Sequence, residues 1–243
     1  MAYLLRHSLL LLALIPILLG VEASGLDLKL QYLFFDPVQN GFPWRDAIWF
    51  GVIAHDGMRL LMVLLAVLLL ATFALSLTVP HVLTSVLSPY WRQPRVLGYL
   101  LAAMLLGPLL VSVLKHTTTR PCPWDLSLFG GNVPYHELLS EPLFTRTEPG
   151  MCFPGGHASA GFALLAFVPL LRDRQRTHAM LAALGFGLVM GWTQMMRGAH
   201  FLSHNLWTAW ICWAAVVLCY VVVCPPLPSK EPDFADAKVR FDS

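Results

Sequence analysis

The sequence predicts an all-α protein, a polytopic helical bundle held in a membrane. Three observations carry that prediction. Hydrophobic residues make up 57% of the 243-residue chain and charged residues only 12%, with a mean hydropathy of +0.64. Soluble domains carry about 25% charged residues. The apolar residues fall into six segments separated by turn-rich polar stretches, and three polar clusters sit at the mouths of those segments. A net charge of +2, with no basic stripe interleaved with aromatics, argues against nucleic acid as a partner.

The first apolar segment, residues 8–23, follows a short start with Arg6 and His7. It reads as a retained span, being long for a signal-peptide core, with a cleaved signal as the alternative. Gly25 to Met58 is a loop holding four aspartates, many aromatics and turn signals at Asp36-Pro37 and Asn40-Gly41. Its mixture of Trp, Phe and acids suits a stretch lying at the membrane interface. Spans follow at 60–77 and 96–114, the latter running into Lys115. The long polar loop from Lys115 to Gly156 reads as ordered irregular structure rather than another domain. Further spans are expected at 158–171, 179–196 and 205–223, then a polar tail at 225–243. The whole chain, 1–243, is read as a single membrane-embedded domain.

Six spans sort the connecting stretches into two sets. One holds nine basic residues against five acidic: Arg6, Arg92, Arg95, the 172–176 loop and the tail. The other holds seven basic against nine acidic. The positive-inside rule makes the first set cytoplasmic. All three polar clusters then fall on the opposite, outer face.

Those clusters are Lys115-His116-Thr117-Thr118-Thr119-Arg120-Pro121-Cys122-Pro123, then Cys152-Phe153-Pro154-Gly155-Gly156-His157-Ala158-Ser159, then Arg197-Gly198-Ala199-His200-Phe201-Leu202-Ser203-His204. A phosphoryl group spreads negative charge over its oxygens, so a catalyst must supply fixed donors. Lys115, Arg120, Arg197 and the amides of Gly155 and Gly156 are of that kind. Metal-free hydrolysis also needs a nucleophile and a proton donor, and histidine suits both because its pKa lies near working pH. His157 and His200 are the candidates. Taken singly, each has a plainer reading: Arg197 snorkelling to headgroups, Lys115 complementing a helix dipole, a histidine merely interfacial. Their gathering on one face favours the joint reading, a phosphate site at a membrane surface.

The three clusters resemble the signature motifs of the type 2 phosphatidic acid phosphatase superfamily, integral membrane relatives of the vanadium haloperoxidases. That family's pattern is Lys, six residues, Arg-Pro; then Pro-Ser-Gly-His; then Ser-Arg, five residues, His, three residues, Asp. The resemblance implies a helical bundle, an outward-facing site, a phosphohistidine intermediate and metal-free dephosphorylation of a lipid phosphate or diphosphate. Lys115 matches the family lysine, while Cys122 stands at the motif arginine and Arg120 lies two residues early. Pro154, Gly156 and His157 match the second motif, which makes His157 the leaving-group acid, and Gly155 replaces the serine. His200 matches the nucleophile. Thr193 and Gln194 occupy the Ser-Arg positions, with Arg197 one helical turn beyond Gln194. His204 occupies the aspartate position. Either His204 orients His200 more weakly, or another acid such as Asp125 does so.

Cys122 and Cys152 each lie inside a cluster on the outer face, where an oxidising compartment permits a disulfide; two separate buried thiols are the alternative. The resulting expectation is a lipid-phosphate phosphatase of a bacterial-type inner membrane, facing the periplasm, with lipid phosphate and bilayer as partners and no cofactor. Candidate substrates are a polyprenyl diphosphate, a lipid A phosphate or phosphatidate. Two other readings remain: a degenerate member that only binds headgroups, and a lipid-to-lipid phosphotransferase. A metal held by His200, His204 and either His157 or His116 is disfavoured, because Lys115 and Arg120 would oppose a cation.

Overall fold

The computed structural model describes residues 2–49, 56–136, 150–223 and 225. The sequence-predicted polar tail lies almost wholly outside the described residues. Among the described residues, seven α-helices run in order: α1 (Ala2–Ala23), α2 (Leu26–Tyr32), α3 (Met58–Thr78), α4 (Pro94–Thr117), α5 (Gly156–Phe162), α6 (Asp173–Met196) and α7 (Leu202–Val223). Five of them, α1, α3, α4, α6 and α7, are long and apolar enough to cross a membrane. The protein is an all-α membrane bundle.

The sixth expected span is built differently. Residues Gly156–Leu170 form a composite in which α5 passes into a 3₁₀ stretch, Ala163–Leu170, that contains Pro169. Proline lacks the amide that an α-helical bond to residue 165 would need, which weakens the α-helical ladder at that end. A 3₁₀ turn rises about 2.0 Å per residue against 1.5 Å, so the composite covers roughly 26 Å with 15 residues. Beyond His157 and Ser159 it is apolar all round because it occupies the centre: Ala158, Phe162, Ala163, Leu165, Ala166, Val168 and Leu170 are all buried.

The other helices take their places from their faces. In α1 and α3 few residues are buried, and leucines such as Leu12, Leu61 and Leu68 point outward, as lipid-facing positions should. In α4, 44% of the span is buried, and it packs along α7. Hydrocarbon solvates leucine as well as protein does, so close fit and polar ties hold such a bundle. The α5–α6 crossing is tight: a Cβ on Gly161 would come within 2.7 Å of the Gly187 Cα. Tyr99 of α4, fully buried, donates its hydroxyl to the Ala166 carbonyl at 3.0 Å. Trp210 of α7 donates to the Leu11 carbonyl of α1 at 2.8 Å.

One end of the bundle is tied by Arg95 Nε donating to the Val223 carbonyl at 3.0 Å and by Tyr90 Oη donating to the Leu170 carbonyl at 3.4 Å. Burial pushes the Tyr90 phenol up to about 12. The opposite end carries all three polar clusters and the stretch after α1. That stretch forms α2 and an aromatic cap in which Phe42, Leu126, Phe129 and Phe201 are buried, with Phe34 and Phe35 against them. Part of the aromatic run expected to lie along the interface is therefore packed onto the cluster-bearing end.

Candidate active site

The site begins where α4 ends. Lys115 and His116 stand in its last turn, and the Thr118 amide closes the helix on the Leu114 carbonyl. The chain then runs extended beside the second cluster. Thr118 Oγ1 donates to the Phe153 carbonyl at 2.5 Å, and the Cys152 amide donates to the Arg120 carbonyl at 3.2 Å. Cys122 and Cys152 are joined by a disulfide with their Cα atoms 5.1 Å apart, within the range that a bridge requires.

The second cluster turns into α5 under steric constraint. A Cβ on Gly155 would lie 2.5 Å from Oδ1 of the buried Asn205, so a serine there would force Asn205 aside. Asn205 fills the space that the family serine would need. A Cβ on Gly156 would stand 3.4 Å from Lys115 Cδ and 3.6 Å from its Nζ, which places the lysine directly over this glycine.

The third cluster is shaped by how α6 stops. Gly198 has a left-handed φ of 77°, its amide donates to Met195 and the Ala199 amide donates to Gln194. This is the paired bond pattern of a Schellman end. The turn is pressed by Phe42, whose ring would meet a Cβ on Gly198 at 2.3 Å. It is also held from α2, where Gln31 Nε2 donates to the Met195 carbonyl at 2.8 Å and Asp27 Oδ1 accepts from the Ser203 amide at 2.9 Å. Burial raises the Asp27 carboxyl above its usual range, while bonds from Ser203 and Leu202 work the other way.

These elements enclose a cleft of about 900 Å³. Lys115, Gly156, His157, Arg197 and His200 all line it, so one residue or more from each cluster meets there. Arg197 is braced by its Nε donating to the Arg45 carbonyl at 3.0 Å and by a 3.4 Å contact with Gln194 Oε1. His200 is 4% exposed, and its Nδ1 lies 2.8 Å from the Cys152 carbonyl oxygen. A carbonyl can only accept, so Nδ1 carries the hydrogen and Nε2 keeps a lone pair. Burial pushes the His200 pKa well below its ordinary value, helped by the nearby His204 and Lys115, with the Cys152 carbonyl opposing.

Several expected site residues stand elsewhere. Arg120 is buried and donates from Nη1 to the His136 carbonyl at 3.1 Å. It lines a second, small cavity with Glu22, Asp27 and His204, not the cleft. Gly155 is also off the cleft, and its amide is engaged with the His204 carbonyl at 3.1 Å. His204 packs edge-on to His200 with ring centres 5.9 Å apart. The acceptor at His200 Nδ1 is thus neither His204 nor Asp125, whose Oδ2 instead accepts from the Cys122 amide at 3.3 Å. Arg59, Asp56 and Trp124 line the cleft without having been singled out from the sequence. Arg59 had a signal, a lone cation at the start of an apolar run. Asp27 and Gln31 had one too, as polar residues four apart on a short apolar helix.

The fold and the meeting of three motifs at one end define a membrane bundle with a motif-lined cleft. A family model described as the PAP2 superfamily matches residues 96–224, just over half of the chain, and the chain belongs to that superfamily. A lipid A 4'-phosphatase of Francisella tularensis subsp. novicida (strain U112) is 30% identical over 118 residues, which are 46% of this chain and 51% of that protein. The chain therefore spans about half the length of the curated relative it matches. No solved structure matches the chain.

Proposed function

We propose that residues 1–243 form one membrane-embedded phosphatase that removes phosphate from a membrane lipid phosphate or diphosphate without a metal, through a phosphohistidine at His200. The observation that carries this reading is the shared cleft, where a nucleophile-type and an acid-type histidine stand among cations from separate elements. Lys115 and Arg197, joined by Arg59, bind the phosphoryl oxygens and hold more tightly the charge that develops in the transition state. His200, oriented by the Cys152 carbonyl, attacks phosphorus through Nε2, forming the N–P bond as the P–O bond to the lipid breaks. His157 gives its proton to the departing oxygen. Water then attacks the phosphohistidine, His157 takes back a proton, and inorganic phosphate leaves. Arg120 serves the shell behind His204 rather than the phosphate.

The distribution of Lys and Arg supports a bacterial-type inner membrane with this end in the periplasm. Reporter fusions at Arg174 and Gly130 test that orientation, with Arg174 on the cytoplasmic side. The similarity to a lipid A 4'-phosphatase supports a bacterial lipid phosphate as substrate, alongside polyprenyl diphosphate and phosphatidate. The test is phosphate release by purified protein from a panel of these lipids, with and without chelator. Turnover of none of them, with binding retained, would instead indicate a headgroup-binding member.

A further inference from the structure

A further pocket, of about 250 Å³, opens beside the cleft and is lined chiefly by Gln39, Asn40, Arg45, Asp46 and Trp124. Trp124 lines both pocket and cleft, so the two adjoin. The pocket is also wired to the proposed phosphate clamp. The Arg45 carbonyl accepts from Arg197 Nε, and the Trp124 amide donates to the Gly198 carbonyl at 2.9 Å.

The walls are built before any ligand arrives. Asp36 and Gly41 exchange backbone bonds of 2.9 and 3.2 Å, and Asp36 Oδ1 accepts from the Val38 and Gln39 amides, which fixes the turn carrying Gln39 and Asn40. The Arg45 guanidinium carbon sits 4.6 Å from the Trp124 ring centre, so each planar group restrains the other. Buried Phe42 and Phe129 border the pocket from within.

The chemistry of the walls selects among ligands. Two amides, a carboxylate and a guanidinium offer donors and acceptors in balance, with Arg45 and Asp46 cancelling in charge. A second phosphate would meet Asp46, and an acyl chain would strand four polar groups. Vicinal hydroxyls satisfy amides, carboxylate and guanidinium together, and the π face of an indole suits the C–H face of a sugar ring. The volume lies below the range for drug-sized ligands, matching one ring-sized group. We infer that this pocket binds the sugar of a phosphorylated glycolipid whose phosphate lies in the cleft, which rests on the phosphatase reading above and narrows its substrate class.

The experiment compares kcat/KM of the full chain in detergent micelles on three substrates: a phosphorylated glucosamine-based glycolipid, dioleoyl phosphatidate and a polyprenyl diphosphate. The glycolipid is expected to be preferred about tenfold or more, the scale of one or two added hydrogen bonds. Gln39→Ala and Asp46→Ala should erase that preference and leave phosphatidate turnover within about twofold; Val38→Ala, on the same loop but outside the pocket, should keep it. Preference for either sugar-free lipid, parallel loss on all substrates, or variants that spare the glycolipid would overturn the inference. If wild-type protein turns over none of the three, the phosphatase reading fails separately. Equilibrium binding of glycolipid against phosphatidate then decides the pocket: tighter glycolipid binding lost in Asp46→Ala retains it, and equal binding rejects it.

Discussion

His200 Nδ1 and the Cys152 carbonyl oxygen are 2.8 Å apart, so a disulfide-bonded residue orients the ring proposed to attack phosphate. The family pattern that the motifs resemble has an acid at the position of His204 for this task. The structure assigns it to a backbone carbonyl, which fixes the tautomer but adds no full negative charge. The Cys122–Cys152 bridge spans 30 residues and holds that carbonyl in place. Reduction, or Cys122→Ala, is expected to lower kcat about ten- to hundredfold through misplacement of His200, with a smaller change in KM. Chain-entropy loss should also lower stability by about 3–4 kcal/mol. Phosphate release with and without reductant, paired with thiol labelling of denatured protein, checks both. Unchanged kcat in fully reduced protein would show that Cys152 holds its place without the bridge.

The depressed pKa of His200 sets a pH profile. A ring that stays neutral below its ordinary range remains a nucleophile there, so kcat/KM should not lose an acid limb near pH 6.5 from this residue. Stability runs the other way. Unfolded, the histidine binds a proton near 6.5, while the folded state resists it. The unfolded state then holds more protons over the interval below 6.5, and stability falls as pH falls through it. Thermal unfolding at pH 7 and pH 5 should show a drop that shrinks in His200→Asn. An equal drop in that variant would assign the acid sensitivity elsewhere.

Arg197 and Arg120 separate two roles that sequence alone joined. Arg197 lines the cleft, so Arg197→Ala should cost about 10²–10³ in kcat/KM, the scale for losing one fixed donor to transition-state charge. Arg197→Lys should recover little, because a lysine cannot both hold the Arg45 carbonyl and present a planar fork. Arg120→Ala should instead lower thermal stability more than its effect on phosphate affinity, since the side chain is buried with Glu22 and Asp27. Inhibition by inorganic phosphate, measured for each variant, separates the two.

Membrane class, the long helices and the gathering of motif residues were legible because they rest on local composition and spacing. The 158–171 segment reads as one more span by hydropathy, yet it is a composite central helix, because periodicity does not register a passage into 3₁₀ geometry. Arg120 is placed by the long-range folding that brings it to a cavity shared with Glu22 of α1 and Asp27 of α2, which no motif encodes. The Cys152 carbonyl is a backbone atom and leaves no residue-type signal at all. Asn205 explains Gly155 only once both are seen in contact.

Asp27 is the link through which α2 secures the third cluster. Its carboxylate accepts from the Ser203 amide at the start of α7, the helix that carries His204. Asp27→Ala should cost about 1–2 kcal/mol of stability as a lost helix cap. Gln31→Ala, which frees the Met195 carbonyl at the end of α6, should add a comparable loss. Because the two residues grip opposite sides of one turn, the double variant should depart from additivity. Denaturant titration in mixed micelles provides the measurement. Strict additivity would mean that the turn is set by Gly198 and Phe42 alone.

His157 lines the cleft and matches the family's leaving-group acid, so its loss should depend on what leaves. With a lipid alkoxide, a poor leaving group, His157→Ala should lower kcat about 10²–10⁴-fold, the usual contribution of general acid catalysis. With an aryl phosphate the departing oxygen needs little help, and formation of the phosphohistidine should recover most of its rate. Water must then still attack the phosphoenzyme without His157 as base. The variant should therefore show a burst of phenol followed by slow turnover, whereas His200→Ala shows neither. Acid-quench trapping of phosphoprotein during the burst would locate the phosphoryl group, and its appearance in His200→Ala would place the nucleophile at another residue. An equal loss of rate with both leaving groups would remove His157 from proton transfer and leave it a positioning role.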